Sequence, residues 1–155
     1  MPVLPTIFQP WLVGAAGAYN ATDAVYINFS LNGEGWPLPN SKLAILYGLW
    51  QAQRGGTIVA TVIGLAPITG STGNVYAEHK ILYGGVGETY YAHAYDPGFA
   101  VATIGAVGVQ TRLHSAQIAV AAGDILHFLY TRDATHGSDT LECELQVVGF
   151  LMEWL

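Results

Sequence analysis

The chain has 155 residues, of which 10% are charged, against about 25% in an ordinary soluble domain. This length fits one domain of common size. The formal net charge is −6, and the five Lys and Arg residues are scattered along the chain. We therefore expect neither binding of nucleic acid through its phosphates nor docking on an anionic lipid surface. Hydrophobic residues make up 52%, and so few charges cannot coat a free monomer in the usual way. Either uncharged polar groups provide most of the solvation, or partners in an oligomer or larger assembly bury much of the surface, which is the interpretation adopted here.

Three further features exclude other classes of protein. No apolar run approaches the ~20 residues that a membrane-spanning helix needs. The N-terminus carries no early basic residue and two early prolines, so no secretory signal is expected. The single cysteine, Cys143, excludes an intrachain disulfide framework. We therefore expect a protein that is made in the cytoplasm and folds independently of oxidation.

Short runs rich in β-branched and aromatic residues recur along the chain, each closed by Gly, Pro, Asn or Asp. In chain order these runs cover residues 6–13, 25–31, 43–50, 57–65, 74–83, 88–95, 99–107, 113–120, 124–132 and 141–154. Their number and spacing predict an all-β sandwich or barrel. The prediction is one domain over residues 1–155, and it leaves open whether residues 1–20 form an N-terminal extension or arm.

Residues 41–54 fit two interpretations. Ser41 as an N-cap and Gly55 as a stop would suit a helix. Gly48 in the middle, together with Tyr47 and Trp50, favours a strand, which is the prediction adopted here.

Two of the predicted strands are apolar on both faces. In residues 57–65 apolar side chains occupy odd and even positions alike. Residues 141–147 alternate cleanly, and this alternation predicts that Cys143 points inward as a buried structural thiol. Beyond them both faces become apolar. Either a β-bulge at Gly149 switches faces within one core, or the second face meets another subunit. The second interpretation predicts an interface made by Phe150, Leu151, Met152 and Trp154.

The five histidines raise the question of a metal site. In a metal-binding cupin the first motif would need His-x-His, but His93 is followed by Tyr95. The second motif is displaced by one residue at His127, and a one-residue shift turns a side chain to the opposite face of the sheet. We therefore expect isolated surface or groove histidines and no bound metal.

Carboxylates concentrate near the C-terminus, and the loop 133–139 offers oxygen ligands for calcium. Asp and Ser also stabilise turns through their own side chains, and Arg132 is available as an ion-pair partner. The sequence favours turn chemistry and leaves calcium open. Since neither a Gly-x-Ser-x-Gly elbow nor a phosphate loop is present, we expect no enzymatic activity, no catalytic residues and no cofactor.

Aromatic residues are numerous for so small a domain, with 4 Trp, 9 Tyr and 5 Phe. Tyr83, Tyr90, Tyr91 and Tyr95 cluster around the Gly-rich turns in the middle of the chain. Aromatic side chains on loops can stack on sugar rings or anchor a protein interface. They can equally lie half-buried on a sheet, and both interpretations stay open here.

Four segments of the second half carry a resemblance to a known family. They are GLAPITG at 64–70, IAVAAGDIL at 118–126, YTRD with SDT at 130–133 and 138–140, and VGFLMEW at 148–154. Together they resemble small single-jelly-roll structural proteins of tailed bacteriophages. The Ala-Gly-Asp turn and the late Gly-Phe are also similar to tumour-necrosis-factor-type trimeric jelly rolls. The resemblance covers about residues 57–155.

This resemblance implies an antiparallel jelly-roll β-sandwich that assembles as a homotrimer on a virion. The implied function is a non-enzymatic capsid cement, or decoration, protein that contacts the major capsid protein and is made in the host cytoplasm. Two alternatives remain: a receptor- or carbohydrate-binding head of a phage tail fibre, and a cupin-like enzyme. A binding head is expected to expose aromatic side chains in loops at one end of the sandwich.

Overall fold

The computed structural model describes residues 6–8, 36–40 and 43–155, and these ranges contain ten β-strands and no helix. The strands are β1 (Thr6–Phe8), β2 (Trp36–Leu38), β3 (Leu43–Gln51), β4 (Gly56–Leu65), β5 (Gly73–Gly84), β6 (His93–Tyr95), β7 (Phe99–Ile104), β8 (Thr111–Val120), β9 (Ile125–Asp133) and β10 (Leu145–Trp154). Accordingly, the described part of the chain holds no helix that could span a membrane.

The strands form two antiparallel sheets that pack face to face. Sheet A has the order β1-β10-β4-β8, and β2 pairs with β10 beside β1. Sheet B has the order β3-β9-β5-β6, and β7 pairs with β5 next to β6. Successive long strands cross between the sheets, which is the connectivity of a jelly roll. The predicted fold class, an antiparallel jelly-roll β-sandwich, is confirmed.

Most predicted runs are strands. Residues 43–51 form β3, paired with β9 along its whole length, so the strand interpretation of this segment is confirmed. The predicted run 88–95 is mostly wrong, because only His93–Tyr95 pairs and the preceding residues form turns. The short β2 was not predicted. Residues 9–13 and the run 25–31 lie outside the described residues.

The core lies between the sheets and follows from period-2 alternation. Along β5 the side chains of Val75, Ala77, His79 and Ile81 point inward and are buried, while the residues between them are half-exposed. Across the gap Phe128 of sheet B stacks on Phe150 of sheet A, with ring centroids 5.0 Å apart. Burial of such rings supplies much of the stabilising free energy of a sandwich.

From Ala60 onward, both faces of β4 are buried within the single chain. Ile58, Ala60 and Val62 belong to the core, and on the opposite face Thr61 is fully buried and Ile63 is 7% exposed. The Thr61 and Ser115 hydroxyls hydrogen-bond each other at 2.8 Å across the β4–β8 pair. Most of the two-faced apolar pattern of residues 57–65 is therefore buried within the single chain, while Val59 on the outer face is half-exposed.

In β10 the register against β4 shifts between Val147 and Gly149, so a β-bulge switches the faces at the glycine. Phe150 and Met152 lie in the core, and Trp154 packs against it. Buried side chains cannot contact a second subunit, so Phe150 and Met152 do not lie on a surface that could form the predicted interface. Leu151 is on the outer face and is 8% exposed. The trimer itself stays a prediction.

The clean alternation of residues 141–147 does not begin a strand at Leu141, as the sequence predicted. β10 starts at Leu145, and residues 141–144 belong to the connection from β9. Cys143 is half-buried there, where its Sγ accepts a hydrogen bond from the Ser71 backbone N–H at 3.4 Å. The thiol packs against the core from a loop, because hydrogen bonding to neighbouring chain segments overrides the local pattern.

Candidate functional site

The outer face of sheet B is unusually rich in aromatic and apolar side chains. Alternation turns one side of each strand of this sheet away from the core. The side chains of this outer face are Tyr47 and Leu49 of β3, Tyr76, Glu78, Lys80 and Leu82 of β5, Phe99 and Val101 of β7, and His127 and Leu129 of β9. Several of them are exposed, so this face can contact another molecule.

Two exposed tyrosines sit at one end of this face. Tyr90 and Tyr91 are 57% and 58% exposed, and their rings meet edge to face with centroids 4.8 Å apart and an interplanar angle of 89°. The Tyr90 ring also packs against the His127 imidazole at 5.4 Å. We call Tyr90, Tyr91 and His127 the tyrosine cluster. It presents ring surface to solvent in a fixed arrangement.

The loop that carries these tyrosines is built from tight turns. Gly85 N–H donates to the Glu88 carboxylate at 2.9 Å, and Glu88 N–H donates back to the Gly85 carbonyl at 3.0 Å. Ala92 N–H then donates to the Thr89 carbonyl at 2.9 Å. Gly87 has φ +95°, a backbone conformation that other residues rarely adopt. These bonds shape the loop into tight turns on which Tyr90 and Tyr91 are exposed.

A second aromatic group lies farther along the same face. The Tyr76 ring stacks on His136 with centroids 3.8 Å apart and on Phe99 with centroids 5.2 Å apart. The planes are nearly parallel, at 16° and 24°. We call Phe99, Tyr76 and His136 the ring stack. Phe99 is 38% exposed and His136 is exposed, so the stack is accessible from solvent.

Charged side chains lie between the two aromatic groups. Lys80 makes an ion pair with Asp96, and this partner lowers the pKa of the Asp96 carboxyl. Desolvation, reinforced by the nearby Asp96, raises the pKa of Glu78. The middle of the face therefore offers two carboxyl groups and one ammonium for hydrogen bonding.

The loop 133–139 uses its carboxylates within the chain. Both oxygens of Asp139 accept hydrogen bonds from Arg132, at 2.8 and 3.0 Å, and one of them also accepts the Tyr76 backbone N–H. Asp133 accepts from the backbone and hydroxyl of Thr135. The predicted turn chemistry and the Arg132 ion pair are confirmed. Calcium was the alternative, and the described residues hold no group of three or more His, Cys, Asp or Glu arranged to hold a metal ion.

The histidines take five different environments. His127 lies on the outer face between buried neighbours, as the one-residue displacement from the cupin motif predicts. His93 packs against Tyr83 with ring centroids 5.2 Å apart. His114 hydrogen-bonds to the Tyr130 hydroxyl at 3.1 Å. The expectation of surface or groove positions is wrong for His79, which is 2% exposed, because its place in the alternation of β5 is an inward one.

The four tyrosines predicted around the Gly-rich turns divide into two pairs. Tyr83 and Tyr95 are half-buried and pack against the core, and the Tyr95 hydroxyl donates to the Ser115 carbonyl. Tyr90 and Tyr91 are the exposed pair. Sequence reasoning missed His127 as their neighbour and missed the whole ring stack. The outward position of Tyr76 in the alternation of β5 was the one available signal.

No family model matches the chain, and no curated protein matches it. Among solved structures the chain is similar to CBM35 from Cellvibrio japonicus Abf62, with 12% sequence identity and a TM-score of 0.38 over 76% of this chain and 70% of that one.

Proposed function

We propose that the protein is a non-catalytic carbohydrate-binding domain and that its ligand contacts the tyrosine cluster. The observation that carries this proposal is the pair of tyrosine rings, each more than half exposed, held at a right angle beside His127. An aromatic ring face stacks on the C–H surface of a sugar ring, and the phenolic hydroxyl hydrogen-bonds to sugar hydroxyls.

The rigidity of the loop supports the proposal. Binding normally costs free energy to order loops and side chains, and a binding site that is already ordered avoids part of that cost. The hydrogen bonds between Gly85 and Glu88, together with the ring contact to His127, fix the two tyrosines before a ligand arrives.

Affinity electrophoresis tests this proposal. The protein is run in native gels that contain soluble xylan, glucomannan, galactan or hydroxyethylcellulose, beside Tyr90→Ala and Tyr91→Ala variants. At least one polysaccharide should retard the wild type, and each variant should bind about tenfold more weakly, as expected when a central aromatic contact is removed. Ile68→Ala is the matched control, since Ile68 is 81% exposed at the opposite end of the sandwich.

Two results would overturn the carbohydrate proposal. One is that no polysaccharide retards the wild type. The other is that both tyrosine variants are retarded as strongly as the wild type and the Ile68→Ala control.

A virion structural role is the second candidate. Apolar side chains outside the tyrosine cluster are also exposed, among them Ile68 (81%), Val109 (52%) and Leu155 (75%). With only 10% charged residues, such a surface suits assembly into a homotrimer on a capsid. Light scattering should then give a trimer, and Leu155→Asp should shift it towards monomer while Val86→Asp, also at an exposed site, should not. A monomeric wild type at micromolar concentration would remove this candidate.

A further inference from the structure

We propose that the ligand is a linear, neutral polysaccharide that lies along the outer face of sheet B and is recognised along its chain rather than at its end. This inference rests on the carbohydrate-binding function proposed above. It assigns the ring stack as a second contact region of the same site.

The two aromatic groups face the same way on one continuous sheet. His127 pairs with Leu82 of β5, and Tyr76 lies six residues before Leu82 on the same strand. An even separation along a strand keeps two side chains on one face, and six residues of strand span about 20 Å. A single sugar is much shorter than this span. A ligand that touches both groups must therefore be an oligosaccharide or a longer chain.

The ring stack is suited to contact such a chain. Tyr76 is fixed between Phe99 and His136, so its orientation does not depend on a ligand. Phe99 lies on β7, at the edge of sheet B, where an exposed apolar ring is not required for the core. The stack resembles the tyrosine cluster in offering ordered, exposed ring surface.

The charges between the two groups favour a neutral ligand. Glu78 and Asp96 supply two carboxyl groups in the middle of the face, and Lys80 is engaged by Asp96. The chain as a whole carries a net charge of −6. A polyuronate brought to this face would meet like charge, whereas the hydroxyls of a neutral sugar chain can hydrogen-bond to the carboxyl groups.

Calorimetric titration with cello-, manno- and xylo-oligosaccharides of two and of six sugars tests the inference. For the series that binds, the hexasaccharide should bind at least tenfold more tightly than the disaccharide, since only the longer chain reaches the ring stack. Phe99→Ala and His136→Ala should each remove this gain and leave disaccharide binding unchanged. Tyr90→Ala should weaken the binding of both lengths. Circular dichroism of every variant checks that the sandwich is folded.

The outcomes separate the two proposals. If the disaccharide and the hexasaccharide bind equally well, the extended site is wrong and the carbohydrate-binding function stands. The same holds if Phe99→Ala and His136→Ala bind the hexasaccharide like the wild type, or if polygalacturonate binds more tightly than the neutral polymers. If no saccharide of any length binds, both proposals fail.

Discussion

Arg132 and His79 are two buried side chains that can carry charge, and they differ in whether their nitrogen atoms have hydrogen-bond partners. Arg132 is fully buried, and its guanidinium donates to both Asp139 oxygens and to the carbonyls of Leu38, Leu141 and Cys143. These bonds occupy all five N–H groups of an arginine. Every donor of this buried side chain therefore has a partner.

His79 is equally buried but has aromatic neighbours. Both of its ring nitrogens have no hydrogen-bond partner among the described residues, and its ring lies 5.7 to 6.4 Å from those of Phe128, Tyr130 and Phe150. Burial, with a smaller contribution from His114, lowers the pKa of the His79 imidazole to about 3. Burial is therefore accommodated by a full set of hydrogen-bond partners at Arg132 and by the neutral form of the imidazole at His79.

The largest expected effect on stability comes from removing the Arg132 guanidinium, whose donors all have hydrogen-bond partners. Arg132→Met should lower the free energy of unfolding by about 3–5 kcal/mol, because Asp139 is left buried and unpaired together with several carbonyls. Urea denaturation measures this difference. Lys80→Met is the control, since the Lys80–Asp96 pair is partly exposed and its loss should cost about 1 kcal/mol or less. A loss below 1 kcal/mol for Arg132→Met would contradict the role assigned to this network.

The second prediction concerns His79 and the decrease of stability at acidic pH. The unfolded imidazole binds a proton below its ordinary pKa of 6.5, while the folded one resists protonation down to about 3, so stability falls as the pH falls through this window. At pH 5 the expected loss relative to pH 8 is about 2 kcal/mol.

His79→Phe is the comparison variant for this pH dependence, because His114 and His127 also have lowered pKa values and contribute in the same direction. The difference between the wild-type and variant stability curves isolates His79. Parallel curves between pH 8 and pH 5 would show that the folded protein protonates this imidazole at its ordinary pKa.

The third prediction uses the same variant at pH 8, where both forms are neutral at position 79. His79→Phe should stabilise the protein by about 1 kcal/mol, because it removes two buried polar atoms that have no partner among the described residues. Thermal unfolding followed by circular dichroism measures the change. Destabilisation by more than 1 kcal/mol would mean that the imidazole nitrogens do have a partner in the folded protein.

The smallest effect is expected at the surface, where a cation needs no full set of partners. The Arg54 guanidinium lies 4.6 Å from the centroid of the Trp154 ring, which itself packs against Trp50 at 6.2 Å. Arg54→Ala should lower the free energy of unfolding by about 0.5–1 kcal/mol. Arg54→Lys should recover part of that loss, and no effect in either variant would show that the ring contact does not contribute.

Much of the fold could be predicted from sequence because it depends on local alternation and turn residues. The runs 57–65, 74–83 and 113–120 are strands β4, β5 and β8, with bounds that differ by at most two residues from those predicted. The bulge at Gly149 was one of two interpretations that the pattern allowed, and the register shift confirms it. These features need only information carried by neighbouring residues.

The candidate site could be predicted only in part. The clustering of tyrosines around the Gly-rich turns could be read from the sequence, but the exposure of Tyr90 and Tyr91 could not, because residues 88–95 were predicted as a strand. The ring stack joins Tyr76, Phe99 and His136 from three separate segments. The same limit applies to Arg132, which was foreseen as an ion-pair partner for the loop 133–139, while its hydrogen bond to Leu38 of β2 was not. Contacts between segments far apart in sequence leave no periodic signal in either segment.

The sequence by itself determined that the chain forms antiparallel strands, where most of them lie and which of their faces turn inward, because side-chain alternation and glycine-rich turns act locally. The tertiary structure alone decided which outward-facing rings become neighbours and which buried ionisable groups obtain partners. The reason is that strand order brings together residues as distant as Leu38 and Arg132, and only their proximity in the folded sandwich creates the hydrogen bond between them.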